Sequence, residues 1–283
     1  MGTVGALLVT HNSEHWIGPT LRSVGDQIRP ADRILVVDDQ STDDTVALVH
    51  DLMGDRVEVV TSETTSESRT ERIAMNFQQG VRAMLDVDVI VLGDHDDLWH
   101  AERIAHQAAI LETDLRAMMV ASDGRLVDAD GQPTGGTLRS VFPVPRDFNE
   151  SKPGQRMRTT LRHSIATGGA SAIRAASFGD VDIPAAWLHD RWWSLVATAA
   201  DRMLVDDRIV IDYRVSAAQE VGLDRGTQDS SGATRAARAA SADSAGAFRK
   251  LKDLQAQLAP YATIETRGEL STMRLVRNLL QRG

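Results

Sequence analysis

Three carboxylates, Asp94, Asp96 and Asp97, stand in the stretch Gly93–His100 (GDHDDLWH), directly after the apolar run Val87–Leu92 (VDVIVL). Like charges at a strand end repel, and burying one alone costs several kcal/mol, so such a cluster needs water, arginine or a metal ion. Carboxylate oxygens suit Mg²⁺ or Mn²⁺, which are usually held by one or two carboxylates plus the phosphates of a substrate. The same residues also fit a solvated turn that caps a helix over Ala101–Leu115, and D-x-D-D alone does not choose between the two. Farther along, Trp187–Trp193 (WLHDRWW) gathers three of the five tryptophans around Asp190. On local grounds Asp190 reads as a helix N-cap and the tryptophans as packing. Gly168-Gly169, preceded by Arg156, Arg158 and Arg162, permits close backbone approach or positive φ, or forms a plain turn.

The elements that position these groups follow from periodicity. Val4–Val9 and Ile34–Val37 are short continuous apolar runs, as expected of buried parallel strands, and they end in Thr10-His11-Asn12 and Asp38-Asp39. A helix is expected over Ile17–Gln27, another from the Ser41–Asp44 caps through Met53, a strand over Val57–Thr61 and a helix over Arg72–Leu85 feeding the strand Val87–Leu92. Strand and helix thus alternate, which predicts an α/β domain with a doubly wound, mainly parallel sheet. In such sheets ligands bind beyond the carboxyl ends of the strands, where all three polar clusters lie. Further strands are expected over Met118–Ser122, Leu126–Ala129, Met203–Val205 and Arg208–Tyr213, with a helix ending near Ala200. Gln132–Thr160 shows no period and reads as a long loop.

The 283 residues, 42% of them hydrophobic, suffice for a sizeable core. No stretch approaches the roughly 20 apolar residues of a membrane span, and Met1–Val9 has no basic leader, so a cytoplasmic protein is expected. The absence of cysteine excludes disulfides, thiolate zinc sites and cysteine nucleophiles. A net charge of −9 argues against nucleic acid as a partner. With only three lysines, Lys152, Lys250 and Lys252, phosphate contacts in the main body must come from arginine, main-chain N–H groups or a metal. The expected organisation is a domain over 1–223, a Ser/Ala/Gly-rich linker over 224–245 and a helical C-terminal extension over 246–283, broken at Pro260. That extension carries seven basic residues against three acidic ones and a leucine stripe. It predicts either a homodimer through these helices or peripheral contact with the inner face of an anionic membrane.

Taken together, LVTHN at 8–12, VVDDQSTDDT at 36–45, LGDHDDLW at 92–99 and LHDRWW at 188–193 resemble the inverting family 2 glycosyltransferases of the GT-A fold, and most the rhamnosyltransferase-like branch with its D-x-D-D-x-W signature. The resemblance spans roughly Gly2–Leu223. It implies a nucleoside-diphosphate sugar donor (dTDP-rhamnose or a UDP-sugar), a sugar, lipid-linked or small-molecule acceptor, and Mn²⁺ or Mg²⁺. It also implies that Thr10, His11, Asn12, Asp39 and, more loosely, Arg72 lie beside the nucleotide. Asp94 would face ribose and metal-bound water and Asp96 the cation, with Asp97 in reserve. Asp190 would be the catalytic base, its carboxyl shielded by Trp192 and Trp193, and these tryptophans with Gly168 and Gly169 would meet the acceptor. One departure stands out, because relatives often carry a histidine two residues after a Tyr-Arg pair, where Tyr213-Arg214 is followed here by Val215-Ser216. Two other readings compete: a nucleotide-sugar scaffold without turnover, and a haloacid-dehalogenase-like phosphatase, which would need a lysine beside the aspartates.

Overall fold

The computed structural model describes residues 1–185, 187–215, 244–271 and 274–275, so the linker expected over 224–245 lies outside the described residues except for its last two. Among the described residues one nine-stranded sheet has the order β3-β2-β1-β4-β8-β6-β9-β5, with β7 paired to β6. Its first half, β1 (Val4–Thr10), β2 (Arg33–Asp38), β3 (Glu58–Thr61) and β4 (Val89–Asp94), is parallel throughout. Every residue of β1 is buried because both faces of this central strand are covered. Ala6 and Leu8 face one core with Ile17, Leu21 and Val24 of α1 (Ile17–Gly25) and with Val49 and Met53 of α2 (Thr45–Met53). Leu7 and Val9 face a second core with Phe77 and Val81 of α3 (Arg69–Ala83). The α3 helix starts three residues before the expected Arg72 because the Ser68 side chain accepts from the Glu71 N–H, an N-cap followed by an acid in the first turn.

The second half departs from the parallel expectation. β8 (Ser171–Arg174) runs antiparallel to β4 and to β6 (Met119–Val127), and β5 (Leu98–Trp99) runs antiparallel to β9 (Met203–Arg214). Only the β6–β9 pair is parallel there. The segments expected as separate strands merge into one β6 and one β9, which bend together through register shifts between Ala121 and Gly124. The stretch 132–160, expected as a loop, contains β7 (Pro133–Thr137), the short α5 (Leu138–Val141) and most of α6 (Pro153–Arg162). The period of α6 is faint in sequence because its inner face is only Met157, Thr160 and Leu161.

After α4 (Arg103–Thr113) and α7 (His189–Ala199), the C-terminal segment forms α8 (Ser244–Leu258), a turn at Pro260 and the short α9 (Ile264–Arg267). Leu251, Leu254, Leu258, Leu270 and Leu275 are buried in the same core as Trp193 and Leu195 of α7. Thr263 N and Thr266 Oγ1 both donate to the Ala199 carbonyl at the end of that helix. Of the leucine stripe expected to serve a dimer or a membrane, Leu251, Leu254, Leu258 and Leu275 are therefore occupied by the chain's own core. Residues 272, 273 and 276–283 of the expected second helix lie outside the described residues. No helix among the described residues is long and apolar enough to cross a membrane. Because Leu258 is fully buried, Leu258→Ala should cost about 3 kcal/mol, roughly 10 °C in Tm for a chain of this size, with no change of sedimentation mass. A melt unchanged from the wild type would show that the stripe does not pack in this way.

Candidate functional site

The parallel register aligns the polar strand ends, with Thr10 opposite Asp38, Asp38 opposite Thr61 and Val9 opposite Asp94. At the end of β1 the Thr10 and Ser13 hydroxyls hydrogen-bond one another. Asn12 takes a left-handed conformation (φ 44°), which Asn tolerates better than most residues. Its Oδ1 accepts from the Thr42 N–H at 2.8 Å and its own N–H donates to Ser41 Oγ at 2.9 Å, which clips the β1 end to the β2 end. His11 Nδ1 lies 2.7 Å from the Asp39 carbonyl oxygen, so Nδ1 carries a proton and donates it.

The two neighbouring aspartates divide their work. Asp38 accepts from the Ser41 N–H and hydroxyl at 3.0 and 2.6 Å and so builds the turn. Asp39 Oδ2 receives Nε and Nη2 of Arg72, each at 2.9 Å. Arg72 is thus brought to the sequence-predicted nucleotide residues from the start of α3.

The three acids of the β4–β5 turn are equally unlike one another. Asp94 is half-buried, Asp96 is buried and Asp97 is fully buried. Asp97 Oδ1 accepts from the Arg214 N–H at 3.1 Å, whereas Oδ2 has no hydrogen-bond partner. Burial, together with repulsion from Asp96 and Asp94, pushes the Asp97 carboxyl well above the usual carboxylate range, and the Arg214 N–H and the charge of Arg103 oppose that shift. Asp97 is therefore an interior group and not a spare outward ligand.

Two arginines that sequence reasoning passed over support this turn. Arg103, only 1% exposed, places its guanidinium 3.9 Å above the Trp99 ring and donates to the Leu92 carbonyl. Burial draws this guanidinium down to about 9 while Asp97 and Asp94 pull it up, so it is charged at neutral pH. Arg214 donates Nε to the Asp96 carbonyl at 3.1 Å and lies 4.5 Å over Trp16. The sequence signal for Arg103 was a lone cation at the start of the helix behind the acids, with Gln107 one turn on.

A 3-10 turn, Gly168–Ala170, joins these acids to Asp190. Both glycines have negative φ and are buried, so close approach is the reason for glycine here. A Cβ on Gly169 would collide with Asp97 Oδ2 and lie 2.9 Å from Asp94 Oδ2. The Gly168 N–H donates to Asp190 Oδ2 at 3.2 Å, and Asp190 Oδ1 accepts from the Arg191 N–H at 2.6 Å. Asp190 lies in the first turn of α7 and is not its N-cap, which is Leu188. Adjacent residues of one turn thus touch Asp190 on one side and the acid turn on the other.

Arg191 caps the end of α6, donating to the His163 carbonyl at 2.7 Å, the Leu161 carbonyl at 3.0 Å and the Thr160 carbonyl. The expectation that Trp192 and Trp193 meet the acceptor is corrected by their burial, 2% and 0% exposed. Trp193 packs on Phe178 at 5.4 Å between ring centres and Trp192 on Trp187 at 5.5 Å, so neither indole offers a face to a sugar. Gly168 and Gly169 are likewise walls behind the carboxylates and not an open acceptor surface. Among the described residues no group of three or more His, Asp or Glu is arranged to enclose a cation. The orphaned Asp97 Oδ2 amid like charges still fits a site that positive charge completes.

The model of the family described as Glycosyl transferase family 2 matches residues 6–181, from β1 through the Gly168–Ala170 turn but short of Asp190. No curated protein matches the sequence. Among solved structures, S. aureus TarS 1-349 in complex with UDP-GlcNAc is 16% identical with a TM-score of 0.62, covering 98% of this chain and 71% of that one. Glucosyl-3-phosphoglycerate synthase from Mycobacterium tuberculosis, in complex with Mn²⁺, UDP and glucosyl-3-phosphoglycerate, is 16% identical with a TM-score of 0.53, covering 79% and 74%. The mannosyltransferase PcManGT from Pyrobaculum calidifontis, in complex with GDP-Man and Mn²⁺, is 16% identical with a TM-score of 0.52, covering 98% and 73%. At these identities the likeness is one of fold.

Proposed function

The chain belongs to glycosyl transferase family 2, and from that premise we propose that it moves a sugar, with inversion, from a nucleoside-diphosphate donor to an acceptor hydroxyl. The observation that carries this reading is the Gly168-Gly169 turn, which touches Asp190 on one side and Asp94 and Asp97 on the other. A displacement at a sugar carbon needs those two functions at its two ends. The acceptor oxygen attacks the anomeric carbon, the bond from that carbon to the diphosphate oxygen breaks, and the acceptor proton passes to Asp190.

Asp94 and Asp96 would hold a divalent cation together with the diphosphate. When bound, such an ion offsets the charge that develops on the leaving diphosphate. Asp39, its carboxylate oriented by Arg72, would accept from N–H or O–H groups of the base or ribose. Thr10, His11 and Asn12 would line the same side. The D-x-D-D-x-W signature favours dTDP-rhamnose as donor, and the UDP-sugars and GDP-mannose held by structures of like fold define the alternatives to test. The proposed catalytic unit is 1–223, with 246–283 as an extension whose described helices α8 and α9 pack against α7.

Calorimetric titration with dTDP, UDP and GDP, with and without Mn²⁺, beside the Asp96→Ala variant, tests the proposal. One nucleotide should bind in a Mn²⁺-dependent way, and the variant should weaken it about 100-fold. Binding of no nucleotide under any condition would overturn the transferase reading. Donor binding without turnover on any acceptor hydroxyl would instead identify a scaffold.

A further inference from the structure

We infer that Arg103 is a positioning residue of the donor site, an interior counter-charge that locks the Asp94–Asp97 turn against the Gly168–Ala170 turn. The inference rests on the proposed reading of that acid turn. Arg103 stands at the first residue of α4 and reaches inward beneath the acids. Its Nη2 donates to the Leu92 carbonyl, near the end of β4, and lies 3.5 Å from the Ser171 carbonyl, which directly follows the glycine turn. Its Nε donates to Gln107 Oε1 at 3.2 Å, and Gln107 Nε2 donates to the Ala170 carbonyl at 2.9 Å and to Ser122 Oγ at 3.0 Å. One buried pair of side chains therefore ties β4, the glycine turn and β6 to one another.

The stacking below is as close. A Cβ on Gly93 would sit 2.6 Å from the Trp99 ring, and Arg103 covers that ring at 3.9 Å. Two orphaned atoms of opposite character complete the case, since Arg103 Nη1 and Asp97 Oδ2 are both buried and both lack a hydrogen-bond partner. A guanidinium so deeply buried is removed from bulk solvent, and the charges of Asp97 and Asp94 act on it with the compensating sign. The arrangement lets three carboxylates share one turn, and it leaves the outer ones to meet ligand.

Thermal melts of Arg103→Met, Arg103→Lys, Asp97→Asn and the Arg103→Met/Asp97→Asn double variant test this, together with titration of each by UDP, dTDP and GDP in Mn²⁺. Arg103→Met should lower Tm by about 10 °C. Asp97→Asn should restore at least about half of that loss in the double variant, because it replaces the buried carboxyl that Arg103→Met leaves without its counter-charge. Arg103→Lys, which keeps the charge and loses the fork, should melt above Arg103→Met and hold nucleotide within about 3-fold of wild type, against a loss of at least about 10-fold for Met. Additive losses in the double variant, or a Lys variant no better than Met, would overturn the inference. If Arg103→Met alone does not fold, the folded double variant and the Lys variant still decide. Should the wild type bind no nucleotide, the transferase reading fails while the thermal cycle still decides the role of Arg103.

Discussion

Asp190→Asn should lower turnover by about 10³-fold while the protein stays folded. Asp190 is 3% exposed and its two oxygens each accept a main-chain N–H, from Gly168 and from Arg191. Asparagine keeps the shape and one acceptor oxygen, so the shorter bond to the Arg191 N–H survives. Its amide nitrogen then faces the Gly168 N–H, donor against donor, and one hydrogen bond is lost at a cost of about 1 kcal/mol. A drop of a few degrees in Tm is therefore expected alongside the kinetic loss. The two quantities differ enough in scale to be told apart, since a small stability loss cannot account for three orders of magnitude in kcat. The measurement is kcat on the donor found by calorimetry, with Tm measured in parallel. Wild-type turnover in a folded Asp190→Asn protein would remove Asp190 from the proposed role of base. Donor affinity should stay within a few-fold, because the base acts on the acceptor and not on the diphosphate.

Gly169→Ala should abolish Mn²⁺-dependent nucleotide binding, lowering affinity at least about 100-fold, and should cost about 2 kcal/mol of stability. The added methyl would collide with Asp97 Oδ2 and approach Asp94 Oδ2 to 2.9 Å. Neither carboxylate is the far end of a flexible chain in open solvent. Asp97 is fully buried and anchored by the Arg214 N–H, and Asp94 ends β4 in register with Val9. To relieve the contact, the acid turn or the glycine turn must move as a unit, and either shift separates the acids from Asp190. Gly154→Ala provides the comparison, because Gly154 is in the first turn of α6 and the nearest atom to its Cβ would be Glu269 Oε1 at an ordinary 3.5 Å. That variant should melt at or above the wild type, since alanine is the better helix former by about 1 kcal/mol. Equal nucleotide affinity in Gly169→Ala and wild type would mean that the acids beside this glycine do not hold the donor.

Some of the site was legible in the amino-acid sequence because it depends on short-range pattern. Apolar runs of four to six residues ending in polar residues mark buried parallel strands wherever they occur. The ends of β1, β2 and β4 therefore announced Thr10–Asn12, Asp38-Asp39 and the Asp94–Asp97 turn, and the α/β alternation placed them on one edge. The glycosyltransferase family could be recognised from the order of these same motifs. Periodicity failed where burial is carried by residues without a strong apolar signature. α6 hides its inner face behind arginines and threonines, and the antiparallel half of the sheet pairs segments that are not consecutive.

Tertiary structure alone decided which member of each polar cluster does what. Asp38 and Asp39 are neighbours of one residue type, yet Ser41 takes the first and Arg72 the second. Asp97 became an interior group because the Arg214 N–H, 117 residues away in sequence, meets it from β9. Trp192 and Trp193 looked like a sugar platform until Phe178 and Trp187 covered them. Arg103, a lone cation in the sequence, took its role only where Leu92, Trp99 and Gln107 enclose it. The physical reason is common to all of these. The backbone's choice of strand or helix follows from residues a few positions apart, whereas the environment of a charge is set by whatever the fold brings within a few ångströms of it, and those partners are distant in the chain.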